Sequence, residues 1–129
     1  MESEPVEIYT DGGCLPNPGT GGWGAVLIYK GRIRELSGGA HRSTNNRMEL
    51  TAAIEALKVL KRRCRVRIHT DSEYLKKGIT DWLSKWKRLG WKRKEGPLKN
   101  RELWRELDHL CSKHQVEWRW TPGHTGNLW

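Results

Sequence analysis

The chain has 129 residues and a mass of 15.0 kDa, the size of one domain. Hydrophobic residues make up 36% and charged ones 30%, with eight Trp and no Phe, a balance that supports a packed core and excludes wholesale disorder. Twenty-four Lys and Arg against fifteen Asp and Glu leave +9 at pH 7, which points to a polyanionic partner, nucleic acid before a membrane surface. No apolar stretch approaches the ~18 residues of a membrane span, and the start MESEPVEIYT lacks the basic and apolar regions of an export signal. Cys14, Cys64 and Cys111 are widely spaced, odd in number and without a CxxC pair, so they suggest neither a disulfide framework nor a zinc site. The expectation is a soluble, cytoplasmic monomer.

In chain order, Val6, Ile8 and Thr10 alternate with polar residues as a first strand that gives way at Asp11 to the turn-rich run DGGCLPNPGTGG. Residues 23–41 read as a hairpin with its turn at Lys30 and Gly31, closed by Gly38 and Gly39. After Ser43 to Asn46, the run MELTAAIEALKVLKRR places Leu50, Ala53, Ile54, Leu57 and Leu60 at helical spacing. Val66, Ile68 and Thr70 form a short strand ending at Asp71, and Ser72 opens a helix to about Gly78. Thr80 to Leu89 is helix-like, GWKRKEGPLK is a loop, and Arg101 to Cys111 is a helix striped by Leu103, Trp104, Leu107 and Leu110. Val116, Trp118 and Trp120 mark a last strand within Gln115 to Thr121. Antiparallel strands followed by strand–helix alternation predict a mixed α/β sheet with helices on its faces.

Asp11, Glu49 and Asp71 stand where a strand ends or a helix begins. Each has an ordinary explanation: an Asx-turn at Asp11, a capping box from Asn46 to Glu49, a helix cap at Asp71. Jointly they suggest more. If the strands ending at Asp11 and Asp71 are parallel neighbours, both carboxylates emerge at the carboxyl edge where α/β folds bind ligands. Glu49 shares a helical stripe with Ala52, Ala53 and Ala56, small residues that allow close approach to a sheet. Three converging carboxylates repel one another unless hard divalent cations neutralise them, and Mg2+ is the natural ion.

Between Trp82 and Arg101 lie eight Lys or Arg and one opposing charge, Glu95, interleaved with Trp86 and Trp91. An exposed amphipathic helix accounts for the charge alone; the basic loop and aromatics favour nucleic-acid contact. The run Lys61 to Arg67, at a helix end, reads as mainly structural.

The segments IYTDGGCLPNPGTGGWGAVL, STNNRMELTAAIEAL, IHTDSEYLKKGITDWL, WKRLGWKRKEGPLKNRELWREL and WTPGHTG, in order over nearly the whole chain, resemble type 1 ribonuclease H of the bacterial kind. The resemblance implies a ribonuclease H-like α/β fold, a five-stranded mixed sheet flanked by helices, and cleavage of the RNA strand of RNA–DNA hybrids to 5′-phosphate and 3′-hydroxyl ends. It implies Asp11, Glu49 and Asp71 as ligands of two Mg2+ ions, with Mn2+ as an alternative and Asp11 shared between the ions. His124 matches the family histidine that assists proton transfer or product release. Contacts to RNA 2′-hydroxyls fall to Asn17, Arg42, Thr44, Asn45, Asn46 and Ser72. The basic protrusion that grips the DNA backbone is carried by Trp82, Trp86, Lys87, Trp91, Lys92, Arg93 and Lys94.

The family has a fourth acidic residue about ten positions after the histidine, at the start of a terminal helix, whereas this sequence stops at Trp129. A trimmed chain, a substitute residue and a weakened nuclease that still binds hybrids each satisfy the pattern. Asn127 is the polar residue placed to substitute in part, through its carbonyl oxygen and without charge. The alternative to an endonuclease is therefore a noncatalytic hybrid-binding module of the same fold.

Overall fold

A computed structural model describes residues 4–91 and 98–121. Strands β1 (Val6–Leu15), β2 (Gly19–Tyr29), β3 (Arg32–Ser43), β4 (Arg65–Thr70) and β5 (Gln115–Trp120) form one sheet of order β3-β2-β1-β4-β5. The first three strands are antiparallel, whereas β4 runs parallel to both β1 and β5. Helix α1 (Asn45–Lys58) crosses from β3 to β4, and α4 (Arg101–Ser112) leads into β5. Between β4 and α4, α2 (Glu73–Lys77) continues through a wide π-helical turn at Gly78–Trp82 into α3 (Leu83–Arg88). Among the described residues, no helix is long and apolar enough to cross a membrane.

Strand alternation sorts the sheet into two unlike faces. Val6, Ile8, Ala25, Leu27, Val66 and Ile68 point to the helices and are buried with Leu50, Ile54 and Leu57 of α1 and Trp104 and Leu107 of α4. The other face carries a cross-strand ladder. Glu7 accepts from Arg67 and pairs with His69, both at 2.7 Å, Arg67 reaches Glu117 at 3.5 Å, and Arg119 meets Glu117 at 2.6 Å. Tyr9 stacks on His69 with ring centroids 4.3 Å apart.

The hairpin turn falls at Lys30 and Gly31 as expected, both at positive φ, which matches the right-handed twist of the flanking strands. The glycine-rich run after Asp11 does not. It continues β1 to Leu15, paired with β2 from Thr20, because glycines let strand and helix backbones meet there. Gly38 and Gly39 likewise lie within β3 rather than ending it, opposite Trp23 and Gly22.

Helices α2 and α3 are joined to α4 by aromatic packing: Tyr74, Trp82, Trp86 and Trp104 lie in successive contact, with centroids 5.4–5.9 Å apart. Trp104 is wholly buried against Gly78, where a Cβ would lie 2.0 Å from the indole.

The three cysteines are free, and burial together with Asp108 pushes the Cys111 thiol up to about 12, so it acts as a packing group. His114, buried at the entry to β5, accepts the Cys64 N–H on Nδ1 at 3.0 Å, and Gln115 N–H donates to the Cys64 carbonyl. Burial, then the charges of Arg63 and Lys113, hold its pKa below the ordinary 6.5. A depressed histidine value means that the unfolded chain binds the proton more readily. The stabilisation is therefore complete above the unfolded pKa and is lost as pH falls through the lower folded value. Urea midpoints should fall between about pH 7 and pH 5, a titration range set by the ordinary histidine value. His114→Leu should flatten that part of the profile and remove roughly 1–3 kcal/mol near neutrality, by leaving the Cys64 N–H without its acceptor.

Candidate active site

The parallel register pairs Val6 with Val66 through Tyr9 with His69, and the same offset continued two residues brings Asp11 level with Asp71. Adjacent strands lie about 4.8 Å apart, so both carboxylates belong to one carboxyl edge of the sheet. The expected parallel pairing is thus present. None of the three acids does the ordinary work that turns and caps would assign it. Asp11 lies inside β1 opposite Gly24 rather than in a turn. The cap of α1 is Thr44, whose Oγ1 accepts from Arg47 N–H at 3.1 Å, so Asn45 and Asn46 open the helix and Glu49 is outside any capping box. The cap of α2 is Ser72, which accepts from Leu75 N–H at 3.0 Å, so Asp71 is not a cap.

Two contacts bring Glu49 toward this edge. Ser72 Oγ donates to Glu49 Oε1 at 2.8 Å, joining the second turn of α1 to the cap of α2 beside Asp71. Gly12 provides the other contact: a Cβ there would lie 2.5 Å from the Met48 carbonyl group and 2.8 Å from the Glu49 nitrogen. Ala52, Ala53 and Ala56 are fully buried along the same helix, as their small size predicted. Asp11 also opens on a groove of about 500 Å³ on the ladder face, bordered by Tyr9, Trp23 and Glu35 and floored by glycines.

Among the described residues, no three His, Cys, Asp or Glu side chains are drawn together tightly enough to hold a metal ion. The donor set at the edge is nonetheless all carboxylate oxygen, the ligand chemistry of hard divalent cations, so Asp11, Glu49 and Asp71 fit such an ion by donor type and by level.

A polar cluster adjoins the acids. Asn45 Oδ1 accepts the Cys14 N–H at 2.6 Å, and Asn45 N–H donates to Asn17 Oδ1 at 3.1 Å. Asn17, Thr44 and Asn45 are therefore brought together, with Arg42 and Asn46 exposed nearby in sequence. Ser72, named with them in the sequence, is 4% exposed, caps α2 and holds Glu49.

In the basic flank, Trp86 is 9% exposed and packs in the core. Trp82 is half-buried in the same aromatic chain, and Trp91 lies under the Arg105 guanidinium at 5.9 Å. Lys87 is exposed and reaches Asp108 at 3.4 Å. Lys92, Arg93, Lys94, His124 and Asn127 lie outside the described residues.

Sequence reasoning missed a junction centred on Asn100. This residue holds φ +57 at the start of α4, accepts from Arg47 at 3.0 Å and donates to the Tyr74 hydroxyl at 3.0 Å. Trp104 Nε1 donates to the same hydroxyl, and Arg47 also holds Glu102 at 2.8 Å. The Arg47 hydrogen bond lowers the Glu102 pKa. The signal was Arg47 itself, the cation between the Asn pair and Glu49.

A mixed sheet of this order, with acids at the edge of its parallel strands and a basic flank, places the chain among the ribonuclease H-like α/β proteins. The model of the family described as RNase H matches residues 3–128, and the chain belongs to that family. It is 58% identical over 127 residues to the ribonuclease HI of Pseudomonas aeruginosa, covering 98% of this chain and 86% of that one. Among solved structures it is similar to LC9-RNase H1, a type 1 RNase H with the type 2 active-site motif. That match has a TM-score of 0.85 and 38% identity, over 98% of this chain and 66% of the other. LC11-RNase H1, solved in complex with an RNA/DNA hybrid, shares the fold at a TM-score of 0.68 and 24% identity, over 92% of this chain and 86% of that one.

Gly12→Ala should force the Met48–Glu49 turn of α1 away from β1, because the obstruction is backbone and not a flexible side chain. The expected result is roughly 1–3 kcal/mol of destabilisation, read as a urea-midpoint shift. Hybrid cleavage measured where the variant remains folded should also fall, since Glu49 moves with that turn.

Proposed function

We propose that the chain is a divalent-metal-dependent endonuclease that hydrolyses the RNA strand of RNA–DNA hybrids and leaves 5′-phosphate and 3′-hydroxyl ends. The observation that carries this is the edge shared by Asp11, Asp71 and Glu49, three acids that the fold does not use as turn or cap residues. Mg2+, with Mn2+ as the substitute, would be held by these carboxylates and would supply water activation and neutralisation of phosphoryl charge.

The protein's own groups supply the rest. Ser72 keeps the Glu49 carboxylate turned toward the end of β4. Asn17 and Asn45 carry carboxamide donors beside the acids, suited to the 2′-hydroxyls that distinguish RNA from DNA. Arg42, Thr44 and Asn46 extend that polar surface. Lys87 and the run Lys92, Arg93, Lys94, with Trp91, would hold the DNA backbone by charge and register the duplex over the carboxylates. His124 would move a proton at the leaving oxygen or aid product departure.

Asp71→Asn removes one negative charge and almost no volume. Mg2+-dependent cleavage of a labelled hybrid should fall at least roughly 100-fold, with hybrid affinity changed by less than about threefold, as for a lost metal ligand outside the binding surface. Cleavage near the parent rate would place the metal site elsewhere.

Neutralising Lys92, Arg93 and Lys94 together should weaken hybrid binding and reduce the slope of log affinity against log salt by roughly 2 to 3. Turnover at saturating hybrid should change much less. An unaltered slope would remove this run from the interface.

A further inference from the structure

A second basic surface lies at the opposite edge of the sheet from the carboxylates. Here β1 and β4 begin, and a groove of about 830 Å³ opens between the β2–β3 hairpin and the segment joining α1 to β4. Six cations border it: Arg32 and Arg34 from β3 and Lys61, Arg62 and Arg63 from the connection, all exposed, and the half-buried Arg65 at the start of β4. Glu4 is the single acid in the lining. A favourable helix dipole accounts for cations at the end of α1, but not for arginines that converge from β3. The floor is apolar, formed by Leu27, Val59 and Leu60, with Ile33 65% exposed at the rim. Tyr29 stands beside it, 37% exposed, with the Lys30 ammonium 5.3 Å from its ring.

Cations that track phosphates, together with an exposed aromatic ring and an apolar floor for base faces, form the recognition chemistry of single-stranded nucleic acid. A duplex would offer only phosphates to the floor, because its bases are stacked inside. Val6, in the lining, is five residues along β1 from Asp11, about 17 Å at the rise of a strand. A single strand leaving a hybrid at the carboxylate edge would cover that distance in about five stacked nucleotides at 3.4 Å each. We propose that this groove is a second nucleic-acid site, which takes the single-stranded tail of a hybrid whose duplex part lies at Asp11 and Asp71. Its link to the duplex rests on the hybrid reading above; the strand-binding chemistry of the groove does not. Tethering to the bound duplex raises the effective concentration of the tail, so a weak contact is enough to prolong occupancy.

The test is fluorescence anisotropy on the full chain in Ca2+, with a blunt 12-base-pair hybrid and the same hybrid carrying a ten-nucleotide overhang at either end. An overhang of one polarity should tighten binding about fivefold or more, a modest gain for one stacked base. The double variant Arg62→Ala/Arg63→Ala, and separately Tyr29→Ala, should lose that gain and leave blunt-hybrid affinity and cleavage unaltered. All three positions are exposed, so folding, checked by urea midpoint, should be intact. Equal affinity for blunt and overhung hybrids of both polarities overturns the proposal. So does a glutamate-rich peptide that binds the groove while overhangs add nothing, which would assign it to an acidic protein segment. A labelled ten-residue oligothymidylate separates the two hypotheses. If no hybrid is cleaved but the oligothymidylate binds and the double variant loses it, the hybrid reading fails and the strand-binding groove stands.

Discussion

The contact on which the rest of the molecule depends is the passage of α1 over β1 at Gly12. Helix and strand backbones approach so closely there that the space of a methyl group is already filled by the Met48 carbonyl. Only a glycine strand under a helix faced with alanines reaches that separation, and the buried Ala52, Ala53 and Ala56 supply the helical half. The consequence is geometric. A glutamate near the start of α1 is set against the ends of two strands whose register already aligns two aspartates, so the arrangement of the acids follows from backbone packing.

This explains which parts could be read from the amino-acid order. Apolar periodicity revealed α1, α4, β4 and β5, because each buries one continuous face in the same core. The parallel pairing of β1 with β4 entered the sequence reading as a condition, and the register of the two strands meets it, with Asp11 and Asp71 at a common level. The glycine run was misjudged because turn propensity and close backbone approach call for the same residue, and only the partner across the gap distinguishes them. Asn46 as a cap failed for a related reason: Thr44, Asn45 and Asn46 all have capping side chains, and the tertiary bonds of Asn45 to Cys14 and Asn17 decide which one caps.

The tryptophans teach a different lesson. In a basic segment, aromatic residues suggest stacking on a polymer, yet Trp86 is buried and Trp82 packs between it and Tyr74. Helical spacing within one short helix cannot show that a later helix brings Trp104 edge-on to Trp86. The Glu7–Arg67–Glu117 ladder escaped notice for the same reason, since its members come from three strands and meet only after the register is set.

The aromatic junction also separates two kinds of cohesion. The cations of α3 act at long range and are weakened by dissolved salt, while Tyr74, Trp82, Trp86 and Trp104 join that helix to the body by dispersion and exclusion of water. Raising the ionic strength therefore acts on one and spares the other. A polyanion would be released while the helix that presents the charge keeps its seat, so the surface is ready for the next encounter without having to refold.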